Sequence, residues 1–171
     1  MTLRSKAIFC MTTPDYRSPE FIAQQRQNLM QFAAEFPFFK LLGMQIIDVA
    51  PGRARLSVAH REDLCQPAGI LHGGVIASLV DTSIAHAILL TPEHLEARPR
   101  GGRLVSLDLR IKYLRPVSEG IVYCDAQVTR MGRQIIHTAA SVTNAAGKEI
   151  ASGDSIYMMV SVDRLQRAEG A

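Results

Sequence analysis

The sequence predicts an α+β domain in which one apolar helix is wrapped by an antiparallel sheet, and three observations carry that expectation. Residues 74–90 contain only Asp81 and His86 as ionisable side chains, and Val75, Ile76, Leu79, Val80, Ile84, Ala87 and Ile88 lie nearly all round the helix. A helix without a polar face belongs inside a domain. Four strand-length segments follow it, at 104–114, 121–130, 134–144 and 149–160, with mostly short connections that force antiparallel neighbours. A hairpin precedes it.

Taken in order, residues 1–17 show no period and are expected to form a mobile N-terminal arm. Ser18-Pro19-Glu20 then supplies an N-cap, a proline at the first helical position and an acid in the first turn, which opens an N-terminal helix over 18–36. Phe21, Gln25, Leu29, Phe32 and Phe36 fall near helical spacing, so this face is expected to pack on the body. Pro37 ends the helix. Residues 45–50 and 53–58 read as two strands around the turn Pro51-Gly52, and Arg53, Arg55 and Ser57 alternate with Ala54, Leu56 and Val58. Residues 60–71 form a loop. After the buried helix, Arg98-Pro99-Arg100-Gly101-Gly102 reads as a flexible loop, while Met131-Gly132 and Asn144-Ala145-Ala146-Gly147 mark hairpin turns. The main domain is therefore expected at 37–162, with a C-terminal tail at 163–171.

Composition excludes several functions. With 47% hydrophobic and 20% charged residues the chain has the make-up of a soluble globular protein, and no stretch approaches the roughly 20 apolar residues that span a bilayer. No signal-peptide core precedes residue 17, so a cytoplasmic location is expected. The three cysteines, Cys10, Cys65 and Cys124, are widely spaced, and the five histidines show no ligand spacing, which argues against disulfides and a metal site. The net charge of +3 is scattered, so nucleic acid is not an expected partner and a small anionic ligand fits better.

The chemistry concentrates at residues 66–81. Asp81 lies deep in an apolar helix, where a charge must be paired, hydrogen-bonded or functional to offset its desolvation. Gly73 and Gly74 leave unobstructed N–H groups at the positive end of that helix, suited to a developing oxyanion or a ligand anion. Asp81 has Ala77, Ser78 and Ala85 beside it at helical spacing, which leaves room for a ligand or a partner backbone. A purely structural Asp and turn glycines are the alternative reading of the same residues.

Gln66-Pro67-Ala68-Gly69-Ile70-Leu71-His72-Gly73-Gly74 followed by Asp81, with the hairpin before and the four strands after, closely resembles the PaaI-like hotdog-fold acyl-CoA thioesterases of the phenylacetic-acid pathway type, over residues 38–160. The resemblance implies a hotdog fold, a long central helix wrapped by an antiparallel sheet, with the N-terminal helix as an addition. It implies a homodimer with shared active sites, assembling into a homotetramer, with the H-G-G segment of one protomer meeting the helical Asp of its partner. Residue by residue, it makes Asp81 the nucleophile or the general base, and Gly73 the donor to the thioester carbonyl, with Gly74 continuing the helix start. His72 takes an orienting role, and Gln66 stands where many relatives carry Asn.

Ser106 matches a strand hydroxyl that positions water, although alternation puts it on the polar side of its strand unless a bulge turns it inward. Arg130 and Arg133 match basic residues that meet coenzyme A phosphates, with Arg103 and Lys112 as weaker candidates. His86 and His137 are expected to be ordinary buried or interfacial residues. The implied activity is hydrolysis of a small aryl or medium-chain acyl-CoA to free acid and CoA, with no cofactor, no metal and no membrane partner. A non-catalytic acyl-CoA or lipid-binding hotdog protein is the alternative, and a hotdog hydratase or dehydratase a more distant one.

Overall fold

A computed structural model describes residues 14–161. Its strands are β1 (Gln45–Ala50), β2 (Arg53–Ala59), β3 (Gly102–Tyr113), β4 (Ile121–Met131), β5 (Ile135–Asn144) and β6 (Glu149–Ser161). They form one antiparallel sheet in the order β1-β2-β4-β5-β6-β3. Short turns make β4, β5 and β6 a meander. The long connection from β2 to β3 carries the chain across the sheet, so that β3 becomes the far edge beside β6.

That connection contains α3 (Gly73–Leu89), the expected central helix, which packs chiefly on β2, β4 and β5. Leu79, Val80, Ile84 and Ile88 of α3 are fully buried, as are Leu56, Val58, Val122, Ile136 and Val142 of the sheet. Each such side chain contributes about 1.5–3 kcal/mol by leaving water. Gly153 in β6 permits a close approach of helix to sheet, because a Cβ there would lie 2.9 Å from Val80 Cγ1 and 3.0 Å from the Arg110 carbonyl oxygen. A half-exposed stripe remains on the helix: Ala77, Ser78, Asp81, Thr82, Ala85 and Leu89.

The N-terminal helix α1 spans Pro19–Glu35, capped by the Ser18 side chain, which accepts from the Phe21 N–H. Pro37 both ends α1 and opens a second short helix, α2 (Pro37–Leu42), which closes on Gly43 at φ 66°. Residues 1–13 of the expected arm and the expected tail at 163–171 lie outside the described residues. Residues 14–17 are folded onto the body: Tyr16 meets Phe21 edge-on at 5.4 Å and Arg17 pairs with Glu93 at 3.5 Å.

The stretch expected to be a flexible loop is helical instead. Thr91 caps α4 (Pro92–Ala97), with Pro92 at its first position, and Arg98–Arg100 continues as a 3-10 turn that ends on Gly101 at φ 81°. A proline at a helix start is preorganised for it, so the prolines here start turns of helix as well as interrupt them. Among the described residues no single helix is long and apolar enough to cross a membrane.

Candidate active site

The segment before α3 is tied down at every step. Gln66 and Gly69 close a turn, with Gln66 N–H donating to the Ile70 carbonyl at 2.9 Å and Gly69 N–H to the Gln66 carbonyl at 2.9 Å. Leu71 N–H donates to the Val117 carbonyl at 2.8 Å and His72 N–H to the Leu64 carbonyl at 2.9 Å. The start of α3 is thereby fixed to the loop before β4 and to the 3-10 turn at Glu62–Leu64. His72 is the N-cap, and its Nδ1 accepts from Gly74 N–H at 2.9 Å, which leaves Nε2 to carry the proton of the neutral ring. That is an orienting arrangement, since the capping nitrogen is already engaged.

Gly73 N–H has no acceptor among the described residues and stands at the first position of the helix, where backbone donors have no partner inside it. Neither Gly73 nor Gly74 has positive φ; the turn glycine is Gly69, at φ 75°. Backbone strain therefore does not explain the pair. What glycine provides at 73 is space, bounded on one side by the Tyr113 ring, 3.4 Å from where a Cβ would be. Tyr113 Oη donates to the Gly73 carbonyl at 3.1 Å.

Asp81 is half-buried in the middle of α3, and its Oδ1 accepts from Tyr157 Oη at 2.6 Å. Tyr157 is only 4% exposed, so its phenol has little water to turn to and its proton is committed to the carboxylate. Burial, and then the Asp81 charge it bonds to, push the Tyr157 pKa well above the usual tyrosine value, while Ser106 works in the other direction. The phenol is a permanent donor. Sequence reading missed Tyr157; the available signal was a tyrosine at an inward position of the last strand, whose hydroxyl needed a partner.

Ser106 reaches this cluster through a bulge. β3 and β6 pair Ser106 with Tyr157 and then Asp108 with Ile156, so Leu107 is the extra residue and the alternation breaks there. The structure thus sets Ser106 beside Tyr157, the residue that holds Asp81, despite its polar strand parity. Within one chain, however, Gly73 and Asp81 are separated by two turns of the same helix, about 12 Å of rise. They do not meet.

Arg130 and Arg133 gather elsewhere, around the β4–β5 corner, where with Gln134 and His137 they line an open cleft of about 700 Å³. Arg130 is opposite His137 in the register, and both are exposed. Arg103 and Lys112 are exposed on β3 and do not line that cleft. His86 is buried against Phe39, with ring centroids 5.3 Å apart, and its Nδ1 donates to the Thr82 carbonyl at 2.8 Å. Cys124 is buried, with its thiol pushed up to about 12, chiefly by burial, so it is not a nucleophile.

Comparison with known proteins converges on one family. The thioesterase superfamily model matches residues 68–151, the span from the turn before His72 into β6. Human acyl-coenzyme A thioesterase 13 is 34% identical over 119 residues, covering 68% of this chain and 80% of that protein. A Shewanella oneidensis protein related to the thioesterase superfamily superposes with a TM-score of 0.69 at 28% identity, covering 82% of this chain and 99% of that one. A variant of phenylacetic acid degradation protein PaaI from Thermus thermophilus gives 0.61 at 27% identity, covering 72% and 98%. A central helix in an antiparallel wrap, glycines at its start and a tethered carboxylate at its middle agree with that match: the chain belongs to the thioesterase superfamily and is a PaaI-like hotdog thioester hydrolase.

Proposed function

We propose that the protein hydrolyses a small aryl or medium-chain acyl-CoA to the free acid and CoA at a site shared by two protomers, with water as the co-reactant. The observation that carries this reading is Asp81, a carboxylate in the half-exposed stripe of α3 whose Oδ1 is held by Tyr157 at 2.6 Å. Gly73 N–H of the partner subunit donates to the thioester oxygen and stabilises the negative charge that develops there. Asp81 either removes a proton from the attacking water or attacks the carbonyl carbon itself to form an anhydride that water then opens. In both routes the C–S bond breaks, and the thiolate of CoA leaves and takes up a proton. Gln66 and Ser106 supply polar contacts to the water or the carbonyl, His72 holds the helix start, and Arg130 and Arg133 meet CoA phosphates.

Sharing between protomers is supported by two features. The rise of about 12 Å between Gly73 and Asp81 puts one carbonyl beyond the reach of both in a single chain. Strand β3 is an outer strand with one unpaired edge, and it exposes Leu107, Leu109 and Tyr113. Such an edge is a ready surface for a second copy. Further pairing of dimers into a tetramer is part of the proposal.

Release of thiol from a panel of acyl-CoAs, by the natural protein and by Asp81→Asn, tests it. The expected result is a loss of at least ~10²-fold in kcat with binding retained. Equal activity of the variant contradicts the role of Asp81, and binding by both proteins without hydrolysis by either makes the protein a binding module.

A further inference from the structure

The face of α1 whose spacing predicts packing on the body packs only in part. Phe21, Gln25, Leu29 and Phe32 line a cavity of about 1000 Å³ whose opposite wall is Leu89, Leu90, Leu95 and Leu104. Phe32 remains 63% exposed. An apolar helix face held off the core forfeits about 25 cal/mol for each Å² it fails to bury, so the gap is a feature that calls for an occupant. The wall is also firmly held. Arg26 donates to the Val49 carbonyl at 3.0 Å and to Asp48 Oδ1 at 2.9 Å, which ties α1 to β1, while Arg17, just before the cap of α1, reaches Glu93 of α4.

Three elements lead from the Asp81 cluster into this cavity. On α3 the half-exposed stripe steps from Asp81 to Ala85 to Leu89 at i,i+4 spacing, and Leu89 lines the cavity. On β6 the inward side steps from Tyr157 to Met159, and on β3 from Ser106 to Leu104. The strands keep these steps in register, since Tyr157 pairs with Ser106 and Met159 with Leu104. The half-exposed stripe thus runs from the carboxylate to the cavity wall over about 12 Å of helix rise.

We propose that this cavity receives the acyl chain, that α1 forms its outer wall, and that Leu29 and Phe32 set the length of a flexible, aliphatic, medium-chain acyl group. The proposal rests on the thioesterase reading of Asp81 and decides between the two acyl classes of that reading. An arylacetyl group ends beside Ala85 and leaves the cavity empty, whereas a chain of octanoyl to decanoyl length follows the stripe and reaches Leu29. Arg98 and Arg103 stand at the outer rim and are exposed.

The test is kcat/KM for saturated acyl-CoAs from butyryl to palmitoyl, for phenylacetyl-CoA and for an ω-carboxylated acyl-CoA of optimal length, with the natural protein, Leu29→Trp and Phe32→Ala. The natural protein is expected to prefer octanoyl- or decanoyl-CoA. Leu29→Trp fills the cavity and is expected to lower kcat/KM for that substrate ~10-fold or more relative to butyryl-CoA, with circular dichroism reporting an intact fold. Phe32→Ala, at an exposed position, is expected to move the optimum to longer chains. An unmoved chain-length profile in both variants overturns the proposal, as does a natural preference for phenylacetyl-CoA. A preference for the ω-carboxylated substrate also overturns it and assigns the cavity to an anion at Arg98 and Arg103. If the natural protein hydrolyses no acyl-CoA, the thioesterase reading fails first and the proposal falls with it.

Discussion

At the scale of single residues, the pair that organises the account is Asp81 and Tyr157. Asp81 was legible from sequence because a lone carboxylate in an apolar helix conflicts with its surroundings, and that conflict is local. Tyr157 was not, because it meets Asp81 across 76 positions of chain and only the folded sheet brings them together. Replacing Tyr157 by Phe removes one charge-assisted hydrogen bond, of the kind that contributes about 1.5–3 kcal/mol. The expected outcome is a fall of roughly tenfold or more in kcat with KM for acyl-CoA little changed, read by thiol-release kinetics. Ser106 illustrates a second limit. Period-two alternation assigned it outward, and only the extra residue Leu107 in β3 reverses that assignment.

Two buried histidines give a pH dependence with a definite sign. Burial holds the pKa of His86 and of His94 below the usual value of 6.5, so both are favoured neutral in the folded protein. Below pH 6.5 the unfolded chain binds protons that the folded chain resists, and stability falls as pH falls; above it these groups contribute no slope. Thermal unfolding between pH 8 and pH 5 is expected to show a Tm that declines only on the acid side. The decline should be shallower in His86→Gln.

At the scale of elements, strand positions were read to within about two residues, because period-two alternation and turn formers such as Gly52, at φ 77°, and Gly147, at φ 75°, bracket them. The helices after prolines were missed. Pro37 and Pro92 each begin a six-residue helix, and a proline read as a stop is equally a start. The contact between α3 and β6 makes a sharper demand than any boundary. Gly153→Ala pushes a methyl into Val80, which is fully buried, and into the backbone of β3. A loss of about 1–3 kcal/mol is expected in denaturant unfolding, and partial recovery when Val80 is reduced to Ala in the same chain.

At the scale of the whole molecule, the proposed site draws Gly73 and Asp81 from different protomers. The sequence placed Gly73 and Asp81 close together, which suggests a single pocket. The helix that contains both also keeps them two turns apart. The proposed assembly is legible only through family resemblance, since an edge strand is defined by what does not pair with it, and no local pattern in β3 announces that. Leu109→Asp puts a charge on the exposed edge of the sheet and is expected to give a monomer by sedimentation with thioesterase activity lost. The most direct test of the shared site is complementation. Asp81→Asn and Gly73→Val proteins, each inactive alone, are unfolded together, refolded and assayed for thiol release. Statistical re-pairing makes half the dimers mixed, each with one intact site, so about a quarter of the natural activity should return. No recovery in confirmed mixed dimers would place Gly73 and Asp81 in the same chain's site and contradict the account.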